Sequence, residues 1–521
     1  MPAVPKRRFA WCFAGIAAFA AGYYMYIGRH GWFWFDEWYF LTARTAGNLN
    51  DLLRPHTDVH WSTVPILVWR AMWWVFGLRS YQPYMALSVL AHITIASLLR
   101  VVMRRAGVRP WVATFVAGIF LFFGTGADNI IWAFQINFDG AVALGLAQLL
   151  LADHDGPLDR RDWLGLGAGL LALMCSGPAV TMVIVVGIAV LIRRGPRAAA
   201  FHTLPLGTVF FLWWLGYAAT TSTVHPTLNT TWKFLHDGIR ATFDALGGGV
   251  VVGALIGAIL VGGWLAMARQ RNIRWASLAA PIAMACGVPV FFMITGSGRE
   301  TFGPTATRYL YIAAALLLPA VAVAFDQLIQ RWRVLAPVLC ALLLVGIPSN
   351  LQKASDFAKL EARYSNSQRL TMLSVTHSPL AHSVPRNLRP DPYNDPVITI
   401  GWLLDGEASG RIPTKATSNP RLRATNALRL SLLETDRAPH GRPCTRMLRP
   451  VTRRLNQGDA FGVRNGTVLV TELGPDPTAD PLRFGQSFHN PKPGFTITDV
   501  AGPLVIVIAP IPSYVALPLL C

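Results

Sequence analysis

Residues 6–40 read KRRFAWCFAGIAAFAAGYYMYIGRHGWFWFDEWYF. Behind the cationic Lys6-Arg7-Arg8 lies an apolar run, Phe9 to Ile27, about long enough as a helix to cross the ~30 Å hydrocarbon layer of a bilayer. It ends in Tyr23, Tyr24 and Tyr26, rings of the kind that sit at the headgroup level. A cleaved signal peptide, with small residues at Ala20 and Ala21, is the other reading of this run. Its length and aromatic finish favour an uncleaved first span. The whole chain agrees with a lipid solvent: of 521 residues 53% are hydrophobic and 14% charged, against about 25% charged in soluble domains. Six cysteines in that length exclude a disulfide framework, and the apolar content excludes a disordered chain.

Further runs of span length or paired half-length lie near 84–103, 111–127, 138–152, 163–174, 179–192, 203–220, 248–268, 275–295, 307–325 and 334–348. The expectation is therefore an α-helical polytopic membrane protein with about 11 transmembrane helices. Of the 46 Lys and Arg, 17 fall in the short loops that are cytoplasmic if the N-terminus is. Nine lie in the opposite loops, which are about twice as long, so the bias is the positive-inside pattern. The formal charge of +19 then records topology, and no basic run interleaved with aromatics suggests nucleic acid as a partner.

From residue 349 the composition shifts to Pro, Arg, Asn and Asp with short apolar runs such as Val397–Ile400, Thr467–Val470 and Pro503–Ile511. Strand-length runs between turn residues suggest a mainly β domain. The expected organisation is a membrane domain, 1–348, whose outer loop 28–83 carries interfacial helices, and an extracytoplasmic C-terminal domain, 349–521. Pro503, Pro510, Pro512 and Pro518 argue against a twelfth span at the C-terminus. Cys444 and Cys521 are this segment's only cysteines; a bridge between them and two free thiols are both open.

The outer-face carboxylates before residue 349 are Asp36, Glu37, Asp51, Asp58, Asp128, Asp139, Asp237, Asp244 and Glu300. Most such groups are simply solvated. Asp36 and Glu37 stand inside an aromatic belt, Trp32 to Phe40, where a lipid-linked substrate can reach them; a charged pair capping an interfacial helix is the plainer reading. After them come His56, Asp58, His60 and Trp61, then Pro65–Phe76, apolar but interrupted by Arg70, which reads as a helix lying in the outer interface.

This order resembles the GT-C glycosyltransferases, polytopic enzymes that use polyprenyl-phosphate-linked sugars. The Asp-Glu-aromatic sequence is similar to that of protein O-mannosyltransferases and lipid A aminoarabinose transferases. Cys175-Ser176-Gly177-Pro178 resembles the Lys-Gly-Pro turn of the latter but lacks its Lys, and Arg308-Tyr309-Leu310-Tyr311 resembles an Arg-Tyr segment of actinobacterial membrane glycosyltransferases. The resemblance spans about residues 9–325. It implies a catalytic Asp36, as general base or as the group that orients the acceptor, with inversion at the anomeric carbon. Glu37 would assist, and a second acid would come from Asp139, preferred over Asp128 because it opens the fourth span. A divalent cation, Mg²⁺ or Mn²⁺, has Asp36 and Glu37 as candidate ligands.

On residue chemistry, Arg299 and Arg308, the latter beside Tyr309, suit a lipid phosphate by bidentate bonding, with snorkelling or solvated charge as the plain alternative. His56, Asp58 and His60 have ligand chemistry for a metal, and interfacial hydrogen bonding is the commoner use. His60, Trp61 and Gln135 are candidates to stack on or hydrogen-bond the sugar. The implied partners are a polyprenyl-phosphate sugar donor, membrane lipids and a glycan, lipid or protein acceptor of the envelope, in a bacterial plasma membrane. A lipid or glycan transporter or flippase would place charges at mid-span and repeat internally. A non-catalytic envelope assembly protein would depend on 349–521 instead.

Overall fold

The computed structural model describes residues 6–414 apart from 57–59, 219–226, 271–272, 300–301 and several positions between 379 and 396; beyond 414 it describes Asp459 and the backbone of strand segments. The helices are α1 (Lys6–Ile27), α2 (Leu49–Leu53), α3 (Thr63–Phe76), α4 (Gln82–Arg105), α5 (Pro110–Leu121), α6 (Ala127–Ile131), α7 (Ile136–Ala152), α8 (Arg160–Leu173), α9 (Pro178–Arg194), α10 (Pro196–Trp213), α11 (Leu228–Gly247), α12 (Val250–Ala268), α13 (Ala279–Arg299), α14 (Thr307–Arg331), α15 (Leu335–Leu344), α16 (Gly346–Val375) and α17 (Ile400–Ala408).

Among the described residues eight helices are long and apolar enough to cross a membrane, or nine if the bent pair Pro110–Leu121 and Gly124–Ile131 is one span. This corrects the expected eleven. The runs at 163–174 and 179–192 belong to α8 and α9, of 14 and 17 residues, which extend only ~21 and ~26 Å. The interfacial helix expected at Pro65–Phe76 is α3, an apolar helix of 14 residues. The strand expected at Val397–Ile400 is also corrected. Thr399 N-caps α17 through its side-chain oxygen, which accepts from the Trp402 N–H at 3.2 Å, so Ile400 opens a helix.

The chain divides into two units: Met1–Gly31, Arg44–Arg70 and Gln82–Ala362; and Trp32–Ala43, Ala71–Tyr81 and Arg363–Cys521. Helix α16 runs through residue 348 without interruption.

In the first unit α14 forms the centre, with its membrane-length window 94% buried. The bent pair packs beside it, and the bend is written in Gly124-Thr125-Gly126. A Cβ on Gly124 would lie 1.8 Å from the Asn350 carbonyl oxygen, and one on Gly126 would lie 2.4 Å from the Tyr311 ring. Only glycine fits so close a backbone approach. Asn350 Oδ1 accepts from the Thr125 N–H at 2.8 Å and hydroxyl at 2.9 Å, while its amide donates to the carbonyls of Ala245 and Gly346. Leu121 C=O, left without a helical partner at the break, accepts from the Tyr24 hydroxyl at 3.1 Å and from His92 Nε2 at 3.2 Å. A broken span is tolerated in a bilayer where such groups satisfy it from within the protein.

In the second unit aromatic rings make the core. Trp73 stacks on Trp402 at 5.0 Å, Trp38 meets the same ring edge-on at 6.4 Å, and Phe33 meets Tyr81 at 5.1 Å. The Leu78 N–H donates to Arg411 C=O at 2.8 Å. Further along, strand segments pair antiparallel, the longest being Gly466–Glu472 with Leu504–Pro510. Cys444 and Cys521 lie outside the described residues.

Candidate active site

The second unit carries the acidic pair. Asp36 sits on a turn whose preceding residue, Phe35, has φ +54°, the one non-glycine residue with positive φ among those described. That conformation costs a bulky residue about 1–2 kcal/mol and persists only where surroundings impose it. Glu37 imposes it. Its fully buried carboxylate accepts from the Trp34 N–H at 2.9 Å and from the Tyr81 hydroxyl at 2.8 Å. The Trp38 N–H closes on Phe35 C=O at 3.2 Å and the Tyr39 N–H on Asp36 C=O at 3.1 Å. Glu37 thus holds the turn, and Asp36, half-buried, is what the turn presents.

The first unit gathers a second group where the broken span re-forms. Asp139, on the first turn of α7, is fully buried; its Oδ1 accepts from Asn129 Nδ2 at 3.2 Å, while its Oδ2 has no donor among the described residues. Asp128, in the first turn of α6, accepts from the Asn129 N–H at 3.0 Å and interacts with the Thr307 hydroxyl and the Arg308 guanidinium at the start of α14. The two aspartates between which sequence had to choose are thus neighbours whose charges interact. Gln135 lies one turn before Asp139 on the continuous helical stretch Ala133–Ala152, buried, with Oε1 unpartnered. Arg308 Nε and the Tyr309 hydroxyl are buried and equally without partners.

Beside this group is a cavity of 340 Å³ lined by His60, Phe138, Gly177, Pro178, Thr181 and Tyr309, with an apolar wall that includes Phe210, Trp214, Phe291 and Ile294. Phe138 and Tyr309 are the chain neighbours of Asp139 and Arg308, so one pair of helix starts serves both cavity and polar group. An apolar recess of 210 Å³ between α9 and α10 shares Val180 and Phe210 with the cavity.

His60 is set by the turn that precedes α9. Its Nδ1 accepts from the Gly177 N–H at 3.1 Å and lies 3.1 Å from Ser176 Oγ. An accepting Nδ1 places the ring proton on Nε2. Backbone bonds at 2.9 and 3.2 Å pair His56 with His60; Asp58 lies outside the described residues. Trp61, a candidate for sugar stacking, has its face covered by Trp213, at 5.3 Å and 4° between planes, and donates its N–H to Thr63. Arg44 anchors the approach to His56 by donating to the carbonyls of Asp51, Arg54 and Pro55. Burial, with Arg54 nearby, lowers its pKa to about 10 against the pull of Asp51. Arg299 closes α13, its side chain outside the described residues, as is Glu300. The Arg308 guanidinium stands 4.9 Å from the centre of the Phe302 ring and 5.5 Å from that of Tyr309.

Elsewhere His154, Asp159 and Asp162 bring ligand atoms within 4.8 Å of one another. Both carboxylates are already engaged by cations there, Asp159 by Arg161 at 2.7 Å and Asp162 by Arg194, so the cluster is an ion-pair network.

Sequence reading missed Asn129 and Tyr81, and singled out the turn holding Ser176 without its bond to His60. Asn129 was legible as a polar residue in an apolar segment just after Gly-Thr-Gly. Tyr81 carried no signal, because its partner Glu37 lies 44 residues away.

No family model matches the chain, and no curated protein matches it. Among solved structures it is similar to the crystal structure of ArnT from Cupriavidus metallidurans bound to undecaprenyl phosphate. The alignment has 14% identity and a TM-score of 0.45, and covers 80% of this chain and 88% of that one.

Proposed function

We propose that the chain is an integral membrane glycosyltransferase of the GT-C kind, which moves a sugar from a polyprenyl-phosphate donor to an acceptor hydroxyl on the outer face of a bacterial plasma membrane. The observation that carries this reading is the shared origin of an apolar cavity and a buried acid–cation group on the first turns of α7 and α14. An amphiphilic donor needs that pairing: an apolar slot for its lipid and fixed polar groups for its sugar phosphate. The recess between α9 and α10 extends the slot.

In this reading the acceptor hydroxyl gives its proton to Asp36 while its oxygen attacks the anomeric carbon. The bond from that carbon to the phosphate oxygen breaks, and its electron pair leaves with polyprenyl phosphate. Attack opposite the leaving group inverts the anomeric centre. Arg308 and the Tyr309 hydroxyl, which hold donors in reserve, would take the departing charge, with Arg299 as a further candidate. Asp139 would bind or activate a sugar hydroxyl, and His60 would hold one end of the cavity in shape. Glu37 acts by fixing the turn beneath Asp36. A Mg²⁺ or Mn²⁺ ion on Asp36 belongs to the same proposal, its contribution being to screen the phosphate; removal by EDTA and readdition reads it. So do a cytoplasmic N-terminus and an outer, mainly β, C-terminal segment, which one-sided cysteine labelling tests.

The deciding experiment is incubation of the purified full chain with a panel of polyprenyl-phosphate sugars, following released polyprenyl phosphate. Release that Asp36→Asn abolishes without loss of folded protein is the expected result. Asp36→Asn turning over at the normal rate sinks the assignment of the base.

A further inference from the structure

Seven aromatic rings stand between Trp32 and Phe40. Trp32, Phe33, Trp38 and Phe40 are buried in the second unit, and Trp34 and Tyr39 are half-buried. Phe35 alone of the seven is exposed, at 60%, and it holds the one positive φ of a non-glycine residue among those described. Glu37 accounts for the turn but not for the ring. Glycine would follow the same backbone without strain, and Phe35 gains little burial to offset its own. Strain kept at an unburied side chain points to a use outside the fold. Phe35 meets Trp34 edge-on, at 5.1 Å and 88°, and Trp34 lies nearly parallel to Tyr364, at 6.3 Å and 9°. Tyr364, on α16, is itself 58% exposed. Three rings of one unit therefore meet at a surface patch, next in the chain to Asp36. Beside Tyr364 on α16 stand exposed Arg363 and Ser367. A face seated in hydrocarbon excludes such charge. A carbohydrate suits the mixture: it lays polarised C–H bonds on an aromatic face and turns a rim of hydroxyls to the polar groups around it.

We propose that Trp34, Phe35 and Tyr364 form a platform for the acceptor, on which a glycan stacks one of its sugar rings and so brings a hydroxyl to Asp36. The inference rests on the reading of the chain as a polyprenyl-phosphate-dependent glycosyltransferase with Asp36 at the reacting hydroxyl. It adds the class of acceptor, a glycan and not a peptide or a bare lipid, and the side chains that hold it. The strained turn then has a purpose: it aims the Phe35 ring outward while Glu37, two residues on, keeps Asp36 fixed beside it.

Two readouts on the full chain in lipid nanodiscs separate binding from turnover. Without donor, saturation-transfer NMR records contact with mannotriose or arabinotriose through their C–H protons; with donor, KM for the same trisaccharides is read from released polyprenyl phosphate. Phe35→Gly, which removes the ring and relieves the backbone, should weaken the saturation signal and raise KM for the trisaccharide about 10-fold. The larger share of the loss should fall in KM rather than kcat, and Tm should hold or rise, a combination that a packing residue does not give. Phe35→Tyr should keep the affinity, and Tyr364→Ala, at an exposed position, should act in the same direction as Phe35→Gly. Saturation and KM that are the same in the unmodified chain and both ring-removing variants overturn the inference, as does no saturation at all in the unmodified chain, or transfer to a Ser/Thr peptide with none to either trisaccharide. So does a spin label at Phe35→Cys, with the other cysteines removed, that is relaxed more by oxygen than by a water-soluble nickel chelate, since position 35 would then lie in lipid. A trisaccharide signal that Phe35→Gly removes, with no release from any donor, defeats the glycosyltransferase reading and leaves the platform standing as a glycan-binding surface.

Discussion

Asp139 and Asp162 are both fully buried in the first turn of a helix, and they differ in what surrounds them. Asp162 closes a capping box with Asp159 at the start of α8 and accepts from the Asp159 N–H at 2.7 Å, His202 Nε2 at 2.9 Å and the Arg194 guanidinium. His154 Nε2 stands 3.2 Å away. Every lone pair has a local use, and the group ties the start of α8 to α9 and α10. Asp139 has one amide on one oxygen and nothing on the other. Burial alone therefore does not make a carboxylate a candidate; burial with hydrogen-bonding capacity left open does.

If the contrast is real, the two aspartates respond in opposite ways to mutation. Asp139→Asn should cut sugar release by about 10²–10⁴-fold, the range for a group acting on the reacting atoms, with thermal stability in detergent unchanged or raised. A fall in stability equal to that of Asp162 variants would erase the distinction. Asp162→Ala should cost about 3–5 kcal/mol, because Arg194 is left buried without its partner. Thermal unfolding reads this, and turnover per folded molecule should hold. Gly124→Ala should cost about 1–3 kcal/mol by overpacking against Asn350, and should also lower turnover by moving α6 and its Asp128. Normal turnover with lowered stability would separate the bend from the site. Tyr81→Phe, the smallest, should cost about 1 kcal/mol of local stability at Glu37, which keeps the Trp34 N–H, and slow transfer less than Asp36→Asn does. Hydrogen exchange across residues 32–40 and kcat together would show whether the hydroxyl holds the Phe35 turn.

Spans were the most legible part of the chain, because crossing a bilayer imposes a length and an apolarity that any run displays directly. Each of the eleven runs falls mainly on helix among the described residues, one of them broken at Phe122–Phe123; the count of spans was too high, since α8 and α9 are short. The Val397–Ile400 run shows the opposite limit. Its β-branched residues suggested a strand, but the side chain of Thr399 found a helix N-terminus to cap. Among site residues, Asp36 and Glu37 stood out together by their aromatic setting, yet nothing in the dipeptide said that one would be buried as a clamp and the other presented.

Sequence by itself determined that this chain lives in lipid and where it turns, for hydrophobicity and helix length are local properties. It also determined that acids gather at few places, because acids are scarce. Tertiary structure alone decided what each acid does. Whether a carboxylate is satisfied depends on donors brought from far along the chain: Tyr81 to Glu37, Arg194 to Asp162, and to the second oxygen of Asp139 none at all. Hydrogen bonding is short-ranged and directional, so only the folded chain shows which groups are left waiting for a ligand.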